Sequence, residues 1–209
     1  MKPEPFTRVT GPAAAMPEDN IDTDIIFPAR FLLLTQKKGL GAHAFHDRRF
    51  DADGGELPGF VLNQPQFRAA KFLVCGDNFG SGSSREQAVW TIADFGIRVV
   101  IATSFGEIFH SNCMRNGVLP ITVSAEDAAR LQAAAAEGRA FTADLEAMTL
   151  TAQGLAPITF SLPAERRQAM LMGWDETDVL LEGYGADIDR FEAAQAASQP
   201  WLYKEKASA

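Results

Sequence analysis

Cysteine is scarce. The 209 residues hold two, Cys75 and Cys113, too few and too far apart for a disulfide framework or a cysteine zinc site. They also cannot supply the three or four thiolates that an iron–sulfur cluster takes. Cys75 closes the apolar run Phe72-Leu73-Val74 and reads as a small buried hydrophobe. Histidine is scarce too. His43 and His46 lie three apart with no third ligand near, so no metal is expected on this chain, and His110 reads as structural. No apolar run approaches the ~20 residues needed to cross a bilayer. The start Met1-Lys2-Pro3-Glu4-Pro5 has no apolar stretch of a secretory signal, so a cytoplasmic location is expected. Positive charge is short as well: 19 Lys and Arg stand against 27 Asp and Glu, a net −8. That balance argues against a nucleic acid or a membrane surface as partner.

What is present suits a folded chain. Apolar residues make up 46% and charged residues 22%, enough to build a core and to exclude global disorder. Charge is uneven. Residues 36–50 carry Lys37, Lys38, Arg48 and Arg49 against Asp47 alone, while residues 163–209 hold nine acids and five bases. A basic loop on an acidic chain fits a small anionic ligand better than a polyanion.

The middle of the chain alternates between two periods. Lys71–Cys75, Arg98–Ala102 and Val118–Val123 read as strands; Ser84–Phe95, Ser104–Asn116 and Ala125–Glu137 read as helices. This β-α-β-α-β-α order predicts parallel strands joined by right-handed crossovers, an α/β fold. Pro120 predicts an edge or irregular position for its strand. The pairs Ser84…Gln87, Ser104…Glu107 and Ser124…Asp127 resemble capping boxes, and Gly96, Gly117 and Gly138 suit helix ends. Short strands are expected at 141–143, 148–151 and 157–160 as a small β appendage, and helices at 164–172 and 188–197. Residues 20–35 mix a turn with a short helix after Pro28. Residues 36–68, rich in Gly, Pro, Asp and Asn, predict a long mobile excursion of the functional kind.

Chemistry concentrates in Gly76-Asp77-Asn78-Phe79-Gly80-Ser81-Gly82-Ser83-Ser84-Arg85-Glu86. The segment follows a buried strand and opens a helix. Gly80 and Gly82 let a ligand approach the main chain. The helix start offers free N–H groups and a positive dipole end, and Arg85 adds a fork suited to a carboxylate. No Lys follows the glycines as in a Walker loop, and the G-x-x-x-G-x-G spacing is not the dinucleotide fingerprint. A plain alternative makes Ser84 the helix cap. A second cluster, Asp22-Thr23-Asp24 before Pro28-Ala29-Arg30, reads on its own as an Asx-turn before a helix.

Taken together these stretches are recognisable. Asn20–Leu32, Gly39–Phe50 (GLGAHAFHDRRF), Asp77–Trp90 (DNFGSGSSREQAVW) and Gly96–Pro120 resemble, in order and spacing, the 3-isopropylmalate dehydratase small subunits of the aconitase family. The resemblance runs from about Phe6 to Met172. It implies a swivelling β/β/α domain spanning 1–209, with the matched core at 6–172 and a helical extension at 173–209. It also implies a large-subunit partner that carries a [4Fe-4S] cluster on three cysteines, with no cofactor on this chain. The implied chemistry is isomerisation of 2-isopropylmalate and 3-isopropylmalate in leucine biosynthesis. A proton is lost α to a carboxylate, the β-hydroxyl leaves toward the cluster iron, and water returns in the opposite sense. By the same resemblance Ser83 is the base and Arg85 binds a substrate carboxylate. Ser84 orients the loop beside the substrate, and Arg49 binds or gates the second carboxylate. Asp24, supported by Thr23, pairs with a histidine of the partner. The chain departs from the family's usual Cys at Ser81, its usual His at Gln87 and its Pro-Lys-Gln at Pro28-Ala29-Arg30. Those departures leave open a related hydro-lyase for another 2-hydroxy diacid, such as 2-methylmalate, dimethylmalate or homoaconitate. A non-catalytic anion-binding module of the same fold is the further alternative.

Overall fold

The computed structural model describes residues 2–203. In chain order the elements are β1 (Arg8–Met16), α1 (Thr23–Ile26), α2 (His46–Arg49), β2 (Phe72–Cys75) and α3 (Glu86–Phe95). There follow β3 (Val99–Ala102), α4 (Glu107–Arg115), β4 (Leu119–Thr122) and α5 (Ala125–Ala136). The chain then runs through β5 (Ala140–Asp144), β6 (Thr149–Ala152), β7 (Ile158–Thr159), α6 (Ala164–Met172) and α7 (Glu176–Ser198). The seven strands form one sheet in the order β4-β3-β2-β1-β5-β6-β7. From β4 to β1 the neighbours are parallel, as the alternating pattern predicts. Pro120 sits in β4, which is an edge strand paired with β3 alone, so its missing N–H breaks no ladder on the open side.

The β appendage is not separate. β5 pairs antiparallel with β1, and β6 and β7 extend the same sheet. β1 makes this possible by changing partner along its length. Arg8–Pro12 pair with β5 and Ala13–Met16 pair with β2. Sequence reasoning missed β1 because its centre is Gly11-Pro12 and its second half is alanine-rich, all poor strand formers. Gly11 is needed there, since a Cβ would lie 2.8 Å from Cγ of Lys71, the residue before β2.

Both faces of the parallel half are covered, so β2 and β3 are buried at every position. Phe72, Val74, Val99 and Ile101 pack toward Ala128, Leu131 and Ala135 of α5. Leu73, Cys75, Val100 and Ala102 pack on the other face with Ala88 and Ile92 of α3 and Phe109 and Cys113 of α4. That second core also takes in Leu40, Ala44, Phe45, Leu62 and Phe67. Residues 40–50 and 60–67 are therefore packed on the core rather than part of the mobile excursion predicted, while 51–59 between them are exposed. Their turn-rich composition reflects short helical turns at Leu40–His43, His46–Arg49 and Val61–Asn63.

Of the three predicted capping boxes, Ser124 alone caps, accepting from the Asp127 N–H of α5. Ser104 instead serves the loop described below. α3 begins two residues after Ser84: Arg85 is its N-cap residue and no side chain caps it. α7 is longer than predicted and opens on a capping box between Asp175 and Asp178. Gly183 and Gly185 hide its first half from the sequence pattern. None of its side chains is buried.

Candidate active site

Three loops leave the carboxyl ends of adjacent parallel strands: residues 17–22 after β1, 76–85 after β2 and 103–106 after β3. In an open parallel sheet this edge is where ligands bind. Here the loops are laced by main-chain hydrogen bonds. The Gly80 N–H donates to the Ile21 carbonyl at 2.7 Å, Thr23 N–H to Ser81 O at 2.9 Å and Gly106 N–H to Phe79 O at 2.9 Å. Asp77 is a hub that the sequence did not single out. Its carboxylate accepts from Ser104 Oγ at 2.6 Å and Thr103 Oγ1 at 3.0 Å, and these bonds hold it below the usual carboxylate range. Ser104 Oγ in turn accepts from the Asn78 N–H. Asn20 and Asn78 both have positive φ and share a side-chain hydrogen bond of 2.8 Å. Asn in a turn between apolar runs was the available signal for them.

The glycines are required by space. At Gly80 (φ +72°) a Cβ would fall 2.2 Å from the Phe109 ring of α4, and at Gly106 it would lie 2.5 Å from the Gly80 carbonyl oxygen. Gly82 (φ +92°) turns the chain so that Ser83 and Ser84 stand exposed at the tip.

Thr23 is buried and fixes that tip. Its hydroxyl accepts from Ser83 N–H and donates to Ser83 O, both at 3.2 Å. The next residue, Asp24, accepts from Arg85 Nη1. Asp22 caps α1 by accepting from Ile25 N–H at 2.8 Å, as the Asx-turn reading predicts. A cation at the N-cap of α3 opposes the helix dipole, and the Asp24 carboxylate offsets it. Four of the six predicted site residues (Ser83, Arg85, Thr23 and Asp24) are therefore directly connected. Ser84 stands exposed beside them without a capping bond.

Arg49 has a different occupation. It is buried, with Nε donating to Asn63 Oδ1 at 3.1 Å and Nη1 to the carbonyls of Gly41 and Ala44 at 3.3 Å. Its guanidinium lies 4.9 Å from the ring centres of both Phe50 and Phe95. In this structure it acts as a strut of the 36–68 layer, with Nε and Nη1 spent inside the chain. His43 and His46 pack around the Phe31 ring. Burial and the nearby positive charges push the His43 imidazole below its ordinary value. Among the described residues no group of three or more His, Cys, Asp or Glu is placed to hold a metal. Cys75 and Cys113 are fully buried, and burial pushes both thiols well above the usual range, the opposite of what thiolate ligation needs. No described helix is long and apolar enough to cross a membrane.

The site is thus a mixed sheet whose carboxyl edge presents a glycine-bounded serine loop and a paired arginine. Residues 3–126 match the model of the aconitase C-terminal domain. The chain is 48% identical over 198 residues to a 3-isopropylmalate dehydratase small subunit of Sinorhizobium medicae, covering 94% of this chain and 98% of that protein. It is 47% identical over 201 residues to the one of Dinoroseobacter shibae, covering 95% and 100%. The chain belongs to the family of 3-isopropylmalate dehydratase small subunits. Its fold matches the crystal structure of the 3-isopropylmalate dehydratase of Methanocaldococcus jannaschii, with a TM-score of 0.65 at 26% identity. That match covers 88% of this chain and 99% of the other.

Proposed function

We propose that this chain is the small subunit of a 3-isopropylmalate dehydratase, a hydro-lyase active only with a large subunit. The observation that carries the reading is the Thr23–Ser83 and Asp24–Arg85 pairing. It presents an exposed hydroxyl and a guanidinium side by side at an uncapped helix start. The [4Fe-4S] cluster belongs to the large subunit, since this chain's own cysteines do not fit one.

In this chain's share of the reaction, Arg85 binds a carboxylate of the diacid with its planar fork. Asp24 holds the guanidinium until substrate arrives, and is then free to pair with the partner. Ser83, as alkoxide, takes the proton α to that carboxylate. The C–H electron pair forms the double bond as the β-hydroxyl leaves, a departure that the large subunit's cluster would assist as a Lewis acid. Water then adds in the opposite sense, its hydroxyl going to the carbon that lost the proton and its proton to the carbon that lost the hydroxyl. A serine is too weak an acid to do this unaided at neutral pH. The helix start and the adjacent guanidinium are the electrostatic means of holding its oxygen charged.

The experiment is exchange of the substrate α-proton with solvent deuterium in the reconstituted pair. Ser83→Ala is expected to lower exchange by about 10²–10⁴-fold, the usual worth of a positioned base. Arg85→Lys is expected to cost on the order of 2–3 kcal/mol in kcat/KM through loss of the two-pronged contact. Full exchange in Ser83→Ala removes that residue as the base.

A further inference from the structure

A charged cavity lies at the opposite edge of the sheet from Ser83. It has a volume of about 610 Å³, within the usual range for small-molecule sites. Its walls come from the amino ends of the strands, at Arg8, Lys71 and Arg98, from α3, at Trp90 and Asp94, and from Lys37 and Lys38. On a chain of net −8 this is a local surplus of positive charge. Some of it is answered within the chain. Arg98 pairs with Glu4, and Lys2, at the rim, pairs with Asp178 at 2.6 Å. Asp94 spends its carboxylate on the N–H groups of Gly39 and Gly41, at 2.9 and 2.7 Å.

The remainder is not answered. Arg8, Lys38 and Lys71 make no salt bridge among the described residues. Lys37 donates only to the neutral Asn116 Oδ1, at 2.9 Å, while lying 4.6 Å above the Trp90 ring centre. Lys37 is thus held in place before any ligand arrives. The Lys71 ammonium lies beside Gly96, which ends α3, near the negative end of the helix dipole. Four cations on one cavity repel one another, and a bound counter-anion relieves that repulsion. Three of the four are lysines, compact point charges suited to phosphoryl oxygens, in contrast to the arginine fork beside Ser83.

We propose that this cavity binds a small phosphate-bearing anion with three or more negative charges, of the nucleoside triphosphate or pyrophosphate kind. The test is calorimetric titration of the full chain at physiological salt with ATP, pyrophosphate and citrate. One-to-one submillimolar binding of ATP or pyrophosphate is expected. It should weaken by about tenfold or more in Kd in Lys38→Ala/Lys71→Ala, and stay unchanged in Arg85→Ala. Should the Lys71 variant fail to fold, Arg8→Gln/Lys38→Gln, which alters two exposed side chains, repeats the test. Binding of pyrophosphate but not ATP assigns the site to free phosphates; binding of both assigns it to phosphate esters as well. Loss of binding in Arg85→Ala, equal binding of citrate at the same lysines, or no saturable binding at all overturns the proposal. So does displacement of the ligand by the large subunit, which would make this face a subunit contact.

Discussion

Residues 76–85 and residues 36–68 both pack beside α1 and α3, and they are held by opposite means. The first is framed mainly by its main chain, with Thr23, Asp77 and Ser104 bracing it below the tip. Gly80, Gly82 and Gly106 bring backbone against backbone and against the Phe109 ring, and the carbonyls of Ile21, Phe79 and Ser81 take up the N–H groups. The second is held by side chains. Arg49 and Asn63 are buried in it and satisfy the carbonyls of Gly41, Ala44, Arg49 and Leu57. A main-chain frame leaves its side chains free, so Ser83 and Ser84 can be presented to a ligand. A frame plugged by side chains spends its polar groups on itself, which is why Arg49 has no free fork.

Gly80→Ala tests the first frame most severely. The new Cβ meets the Phe109 ring at a backbone angle that alanine rarely adopts, and a loss of at least about 3 kcal/mol in urea unfolding is expected. A loss under about 1 kcal/mol would mean the loop re-forms without its glycine and is not a rigid frame.

Arg49→Ala tests the second. It leaves Ala44 O and Asn63 Oδ1 buried without their donor, and about 2–3 kcal/mol of stability should go. Arg49→Lys should recover part of it. Unchanged stability in Arg49→Ala would reopen the side chain for a role at the substrate.

Ser84→Ala should do little to the fold. Had Ser84 been the cap, its loss would cost about 1 kcal/mol. Exposed and making no capping bond, it should cost less than about 0.5 kcal/mol. A full cap's worth of destabilisation would place the start of α3 one residue earlier.

The smallest effect is one of pH, carried by a histidine of the 36–68 layer and one of α4. Burial pushes His43 in the packed layer and His110 on α4 below their ordinary value of about 6.5. The unfolded chain then binds more protons than the folded one below that value. This share of stability is present at higher pH and is lost as pH falls through 6.5 toward the lowered folded values. The melting temperature should drop between about pH 7.5 and 5.5, and His43→Gln and His110→Gln should each flatten part of the drop. No flattening in either variant would assign the slope to other groups.

How much of this was legible depended on how each feature is encoded. The βαβ half was readable because strand and helix periods alternate cleanly and buried parallel strands are apolar throughout. The serine loop was readable because glycines placed between a strand and a helix have few other uses. β1 was not readable, because Gly11 and Pro12 are there to let one strand change partners, and that need arises only when β5 arrives from far along the chain. The layer at 36–68 was misjudged because short helical turns and loops share a composition. What separates them is whether Leu40, Phe45 and Leu62 find a surface to cover.

The sequence by itself determined the fold class, the edge position of Pro120, the family and the loop that carries Ser83 and Arg85. These rest on local periodicity and on residues whose backbone or chemical requirements are their own. The tertiary structure alone decided that Thr23 locks Ser83, that Asp24 takes Arg85, that Arg49 is a strut and that Ser84 caps nothing. Each of those is a hydrogen bond, or the lack of one, between groups brought together by the fold. A polar side chain's role is set by which partner reaches it first, and that depends on packing rather than on its neighbours in the chain.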